Sequence, residues 1–303
     1  MHSIKYIDRT SKKIETETVY GAQALQFLYG DSLISKTIGK PLLTLLASNR
    51  CFSLLYGLWQ KLPWTTHRIA PFIENFGIDS TEFLNPVDSY TSFNDFFTRK
   101  LKAKVRPIAK GHDVAIIPAD GRYLFFQKID EAEGFIVKGK KFSLTTLLDN
   151  GDLAKRYEEG SMVIARLCPT DYHRFHFPMD CTPEKTHLIN GWLYSVNPIA
   201  LKKNIEIFVQ NKRTITPLTT AEFGKVLFIE IGATNVGSII QTYPPDKLCK
   251  KGDEKGYFSF GASSLILLFE KGQIQFDEDL LSATSQNMEV KCLFGQPLGL
   301  HPR

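Results

Sequence analysis

Cysteine is scarce in this 303-residue chain. The five that occur (Cys51, Cys168, Cys181, Cys249 and Cys292) are odd in number, scattered and without a CxxC pair. That argues against a disulfide framework or a zinc cage and reads as free thiols in a reducing compartment. Long apolar runs are also missing. The longest stretch free of Asp, Glu, Lys and Arg is the 16 residues from Thr186 to Leu201, interrupted by Asn190, Gly191, Asn197 and Pro198. It suits a buried strand and turn, and it falls short of the roughly 18 apolar residues of a membrane span. The opening MHSIKYIDRTSKKIETE mixes acids with bases and has no apolar core before a small-residue cleavage site. A secretory signal is therefore not expected, and the chain is expected in the cytosol. A strong excess of one charge is lacking too: 37 Lys and Arg against 32 Asp and Glu leave +5, too little for a dedicated nucleic-acid binder.

What is present, 43% hydrophobic and 23% charged residues, excludes disorder and collagen and fits one or two globular domains. The charge is uneven. Residues 1–75 hold nine basic and five acidic side chains, a balance of +4, which leaves +1 for the rest. From Val19 to about Ile78 the pattern is helical, cut into short pieces at Gly30, Gly39-Lys40-Pro41, Pro63 and Pro71. Within it Leu54, Leu55, Leu58, Trp59 and Leu62 share one stripe of a helix over about Asn49 to Leu62, bordered by Arg50, Gln60 and Lys61. Such a stripe packs on a core of its own, or enters a lipid boundary while Lys and Arg meet anionic headgroups. The basic balance favours the second. Beyond a linker at Pro86 to Ser92, six bases (Arg99, Lys100, Lys102, Lys104, Arg106, Lys110) fall in the 15 positions from Phe96 to Lys110 with no acid among them, usually a solvated face. From Val114 onward the texture is short β-rich runs, and KKGDEKGY marks a turn with Gly252 and Gly256 available for positive φ.

Three segments concentrate reactive side chains: PADG at Pro118 to Gly121, DYHRFHFP at Asp171 to Pro178, and FGASS at Phe260 to Ser264. Each has a bland reading. Asp120 can cap its own turn, and Ser263 can mark a loop-to-strand junction. His173 and His176 form an HxxH pair with no third ligand at metal spacing, so zinc is the poorer reading. Together an Asp, a His and a Ser are the inventory of an activated hydroxyl: the acid orients the imidazole, the imidazole takes the proton, and the serine attacks a carbonyl. No GxSxG elbow surrounds Ser263, and the peptide carbonyl before it is unhindered. Self-attack is chemically open.

The segments SFNDFFTRKLKAKVRPI, IPADGRY, KGKKFSL, DYHRFHFP, NGWLYSVNP, EFGKVLFIEIGATNVGSI and KKGDEKGYFSFGASS, in this order over nearly the whole chain, resemble the bacterial membrane-associated phosphatidylserine decarboxylases. In that family a serine of a Gly-Ser-Thr motif cleaves the peptide bond before it and becomes a pyruvoyl group. Counting back from Leu268-Phe269 gives that place to Ser263. Two positions depart from the family: Ala262 stands for the usual Gly and Ser264 for the usual Thr. An Ala there slows cleavage if its backbone must be left-handed, and Ser264 is a less well-spaced rival nucleophile.

The resemblance implies Asp120, His176 and Ser263 as the self-processing triad and His173 as the residue serving decarboxylation. A cut between Ala262 and Ser263 leaves a large chain (1–262) and a small chain (263–303) headed by the covalent pyruvoyl cofactor. That group forms a Schiff base with the amine of phosphatidylserine and holds the electron pair left by carbon dioxide, giving phosphatidylethanolamine without metal or soluble cofactor. It also implies an α+β fold, with an N-terminal helical membrane-docking region (1–85) before a mainly β, barrel- or sandwich-like catalytic domain (86–303). The enzyme is then a peripheral protein on the cytoplasmic face of the bacterial cell membrane. Its expected partners are phosphatidylserine, the anionic membrane surface and its own small chain, with a second copy as a candidate and nucleic acid excluded. A serine hydrolase using Asp120, His176 and Ser263 on an external ester, and an unprocessed membrane-bound homologue without activity, are the competing readings. Both run as a single chain.

Overall fold

All seven residues of SSLILLF at Ser263–Phe269 are buried in the computed structural model of the chain. A strand without an exposed position has to be covered on both faces. The structure describes residues 4–19, 27, 34–39, 42, 50–131, 143–196, 206–233, 238–261 and 263–302. In chain order the described strands are β1 Lys5–Asp8, β2 Ile14–Thr16, β3 Val114–Ile116, β4 Gly121–Phe126, β5 Ser161–Leu167, β6 Arg174–His176, β7 Thr182–Pro183 and β8 His187–Ile189, then β9 Arg213–Thr219, β10 Lys225–Gly232, β11 Ile239–Gln241, β12 Glu254–Phe258, β13 Ser263–Phe269, β14 Gln275–Phe276, β15 Glu289–Cys292 and β16 Pro297–Leu300. The α-helices are α1 Arg50–Trp59, α2 Ile69–Phe76, α3 Phe93–Phe97, α4 Leu144–Leu148, α5 Gly151–Tyr157, α6 Ile207–Gln210 and α7 Glu278–Ser285. None is long and apolar enough to cross a membrane.

A ten-stranded sheet in the order β2-β1-β15-β4-β5-β13-β10-β9-β7, with β8 also on β9, carries the fold. Its pairings are antiparallel apart from β1 with β15. Strand alternation sends Leu265, Leu267 and Phe269 into one cluster with Phe175, Phe228 and Phe258, and Ile266 and Leu268 into another with Leu147, Tyr157 and Ile229. The fold is thus predominantly sheet with few helices. Two features differ from expectation. The large sheet ends on β2 and β7 without closing, so it is an open sheet covered on both faces and not a barrel. Residues 5–16, expected with the helical region, supply β1 and β2 to the edge of that sheet.

The helical reading holds for α1, α2 and the 3₁₀ turn Pro63–Arg68 between them. Most of the remaining expected helical stretch, residues 20–49, lies outside the described residues. A third, aromatic cluster joins this region to the sheet: Phe72, Phe83, Tyr90, Phe93, Phe96 and Phe97 pack with Phe260, three residues before Ser263. Helix α3 starts on Ser92, whose hydroxyl accepts the N–H of Asp95, so the Ser-Phe-Asn-Asp spacing is a capped helix start with three phenylalanines turned inward. In the turn before β12, Gly252 takes φ +88° as expected. Gly256 serves differently: it lies within β12, where a Cβ would come 2.1 Å from the Ile240 carbonyl oxygen.

Candidate active site around Ser263

Ser263 opens β13 between Gly232 of β10 and Leu167 of β5, at the centre of the large sheet, with no exposed surface. The chain reaches it through Gly261 at φ +139°, a conformation that glycine adopts without strain. Ala262, whose backbone was the concern for cleavage, lies outside the described residues. The neighbouring hydroxyl points to the opposite face of the sheet, where Ser264 Oγ donates to the Ala165 carbonyl at 2.6 Å. That leaves Ser263 as the serine whose hydroxyl meets an imidazole.

The imidazole is His173. It precedes β6 and is fully buried, and its Nδ1 stands 3.4 Å from Ser263 Oγ. Its Nε2 lies 2.8 Å from the Cys168 carbonyl oxygen. A carbonyl only accepts, so Nε2 carries the proton of the neutral ring and Nδ1 turns a bare lone pair to the serine. Burial holds the ring neutral, lowering its pKa from 6.5 to about 4, a cost that the nearby Asp171 charge only partly offsets. Phe97 stacks on the ring at 4.0 Å between centroids. Asn94, one turn earlier on α3, accepts the backbone N–H of Phe260 at 3.0 Å. The helix therefore grips the histidine and the segment leading into Ser263 at once.

Asp120 and His176 form a separate layer. Among the described residues no hydrogen bond joins either to Ser263 or to the other. His176 donates from Nδ1 to the Gly252 carbonyl at 2.9 Å and accepts the Tyr172 hydroxyl on Nε2 at 3.2 Å, and burial lowers its pKa to about 4 as well. Asp120 does not cap its own turn. Its carboxylate takes Arg106 Nη2 at 2.7 Å, Arg106 Nε at 3.1 Å and the Phe294 N–H at 2.8 Å. Burial pushes this carboxyl up while Arg106 and the Phe294 N–H pull it back. Phe294 connects the two residues, because its ring lies 3.7 Å from that of His176, nearly parallel.

Several residues that build the site carry no signal as single letters. Asn94 and Phe97 lie inside SFNDFFTRKLKAKVRPI, while Tyr172 and Asp171 lie beside the two histidines. The basic run, expected as a solvated face, divides by residue type. Its four lysines are exposed, whereas Arg99 and Arg106 are buried, Arg106 on Asp120 and Glu82, Arg99 against Phe83 and Phe96. Delocalised, weakly hydrated guanidinium bears burial against carboxylate and aromatic faces better than ammonium does.

Comparison with known proteins gives one consistent result. The family model for phosphatidylserine decarboxylase matches residues 93–300. The chain is 49% identical over 303 residues, all of it and 99% of the relative, to a protein named phosphatidylserine decarboxylase proenzyme from Chlamydia pneumoniae. It is 48% identical over 299 residues to the protein of that name from Chlamydia caviae, covering 99% of this chain and 98% of the relative. The Chlamydia felis protein of that name is 47% identical over the same length and coverage.

Proposed function

The chain belongs to the phosphatidylserine decarboxylase family, and from that premise we propose that it cuts itself between Ala262 and Ser263 and then converts phosphatidylserine to phosphatidylethanolamine and carbon dioxide. The observation that carries the reading is the bare Nδ1 of His173 facing the Ser263 hydroxyl at 3.4 Å. The resemblance gives this step to His176; here His173 is the ring within reach, and it takes the hydroxyl proton as Oγ bonds to the carbonyl carbon of residue 262. The peptide C–N bond breaks as its nitrogen takes that proton from the ring and leaves as an amine, and an ester remains. Loss of the Ser263 α-proton then expels the residue 262 carboxylate from Cβ and leaves a carbon–carbon double bond. Rearrangement to the imine and attack by water release ammonia and leave a ketone at the head of residues 263–303. Asp120 and His176 are the other members of the proposed self-processing set; they are joined to each other through Phe294, whose N–H Asp120 accepts and whose ring stacks on His176, and the Pro118 carbonyl beside Asp120 accepts the backbone N–H of His176 at 2.8 Å.

The resulting pyruvoyl group would fit the site, since it is no bulkier than the buried serine it would replace, with His173 beside it to hold it. Once formed, it supplies a ketone that condenses with the substrate amine and accepts the electron pair left by departing carbon dioxide. His173 serves there as the proton carrier to the substrate carbon that carbon dioxide leaves. The buried aromatic lining excludes water from that proton. Intact mass spectrometry of the purified protein tests the whole reading. Fragments of residues 1–262 and 263–303, the smaller one with a ketone and no terminal amine, are expected; an uncut chain overturns it.

The same reading sets a pH profile. The protonatable Nδ1 of His173 must be bare, and burial favours the neutral ring down to about pH 4. The cutting rate followed on a denaturing gel is expected to be level from pH 8 to about 5 and to fall as pH drops through about 4. A midpoint near 6.5, that of a solvated imidazole, contradicts the buried base.

The enzyme is also proposed to reach its lipid from the membrane surface. On and after α1, Leu55, Leu58, Trp59, Leu62 and Trp64 are exposed, between 37% and 64%, while Tyr56 is half-buried with its ring 6.1 Å from Phe260. One side of the helix thus packs toward the site and the other presents bare apolar surface. Each large apolar side chain buried in lipid contributes about 1.5–3 kcal/mol. A folded Leu58→Glu, Trp59→Glu chain is expected to lose at least about tenfold in co-sedimentation with phosphatidylserine vesicles. Unchanged sedimentation removes the docking surface from the proposal.

A further inference from the structure

Once cut away, residues 263–303 would be held by contacts alone. Two of their strands are enclosed by strands of the large chain. β13 lies between β5 and β10, and β15 lies between β4 and β1. β4, β5 and β10 belong to the body of the large chain, but β1 comes from its first residues and, besides its hairpin partner β2, pairs with β15 alone. The ladder is parallel, with Tyr6 opposite Glu289, Ile7 opposite Val290 and Asp8 opposite Lys291. Without β1 the strand at Glu289–Cys292 would be an edge with a row of unpaired N–H and C=O groups.

The turn of that hairpin adds charge to the ladder. Arg9 donates from Nε and Nη2 to the two oxygens of Asp279, each at 3.0 Å, from Nη2 to Asp277 at 2.7 Å and from Nη1 to the Pro297 carbonyl. Lys12 Nζ reaches Asp279 at 2.8 Å, Lys291 Nζ returns to Asp8 at 3.2 Å, and Gln296 Nε2 donates to Thr10 Oγ1 at 3.2 Å. Among the described residues, the hydrogen bonds and ion pairs that residues 7–13 make outside their own hairpin all fall on residues 277–297. The two-pronged grip on Asp279 is the strong form of such a contact. The Arg9 side chain is only 9% exposed, so water and salt screen it little. The hairpin is anchored in turn to the large chain. Glu17 holds Arg166 at 2.7 Å and Arg122 at 3.2 Å, and Arg166 reaches on to Glu289 at 2.6 Å.

In an uncut chain a segment that opens stays attached and recloses at once. In a cut one it can leave, and a weakened contact shows as faster loss. We propose that the N-terminal hairpin is a clasp on residues 263–303, holding the small chain and the group at its head in place once the bond before Ser263 is cut. The proposal rests on the self-cutting reading. The test uses full-length chains that have cut themselves. Arg9→Ala with Lys12→Ala should cut at the parent rate, since among the described residues neither side chain bonds to Ser263, Asp120 or the two histidines. It should then lose the small chain at least about tenfold faster in mild urea, read by gel filtration and by falling carbon dioxide release. Asp279→Asn weakens the same grip from the small-chain side, at a position 38% exposed, and should speed the loss about threefold or more, which keeps the test open if the double variant does not fold. Hydrogen exchange separates a clasp from a general loss of stability. The β15 amides should exchange at least about tenfold faster in the double variant, while those of β9, toward the far side of the sheet, stay within about twofold of the parent. Retention within about twofold of the parent in both variants, or exchange raised equally across the sheet, overturns the proposal. A parent chain that stays uncut overturns the self-cutting reading and the clasp with it, whereas a cut parent with indifferent variants overturns the clasp alone.

Discussion

Ser263→Ala is expected to leave one chain of 303 residues with no decarboxylation, while Ser264→Ala is cut at nearly the parent rate. The two serines are adjacent and both fully buried, so composition alone does not separate them. Strand alternation does. Ser263 Oγ lies on the face that carries His173, whereas Ser264 Oγ donates to Ala165 at 2.6 Å on the other face and has no imidazole. Without Oγ there is no atom to form the ester and none to leave from Cβ, so the cut falls by at least about 1,000-fold and no ketone forms. The second variant loses one sheet-side hydrogen bond, about 1 kcal/mol, and leaves the reacting atoms in place. Denaturing gels of the two purified variants, followed by an assay for carbon dioxide release, give the comparison. A cut Ser263→Ala chain or an uncut, folded Ser264→Ala chain sinks the assignment.

Much of this was legible in the sequence, for reasons that differ between elements. The short β-rich runs from Val114 onward announced a predominantly sheet fold, and the hydroxyl, imidazole and carboxyl inventory stood out against apolar surroundings. The open edge of the sheet was not legible, since closure depends on how far the strands turn around one another and no single strand records it. Nor was the place of residues 5–16 in the sheet. Their pairing with Glu289, Val290 and Lys291 bridges most of the chain length, and no local pattern reports a contact so distant. The basic run shows a third limit: counting charge cannot tell an arginine that turns inward to Asp120 from a lysine four residues away that stays in water. The two histidines show the last. They differ by three positions in one motif, and only packing reveals that His173 faces Ser263 while His176 is held between Gly252, Tyr172 and Phe294.

Removing Asp120 should separate what it does for the fold from what it does for the cut. Its carboxylate neutralises Arg106, only 9% exposed, and accepts the Phe294 N–H. Asp120→Ala strands that guanidinium with Glu82, which is 31% exposed and more weakly placed to compensate it. Breaking one side of a buried pair costs about 3–5 kcal/mol, a large part of the roughly 5–15 kcal/mol that holds a domain folded. Urea unfolding in the Ser263→Ala background, where every chain is intact, should show that loss. Replacing both partners, Asp120→Leu with Arg106→Met, takes the buried charges away together and should recover stability to within about 1–2 kcal/mol of the parent. Self-cutting is expected to divide the two cases in another way. If Asp120 serves only to neutralise Arg106, the stable double variant cuts like the parent. As a member of the self-processing set it leaves the Phe294 N–H unanswered and the His176 ring unsupported, so the double variant should fold yet cut at least about tenfold more slowly. Recovery of both properties would reduce Asp120 to a packing role and leave His173 to drive the cut with Ser263.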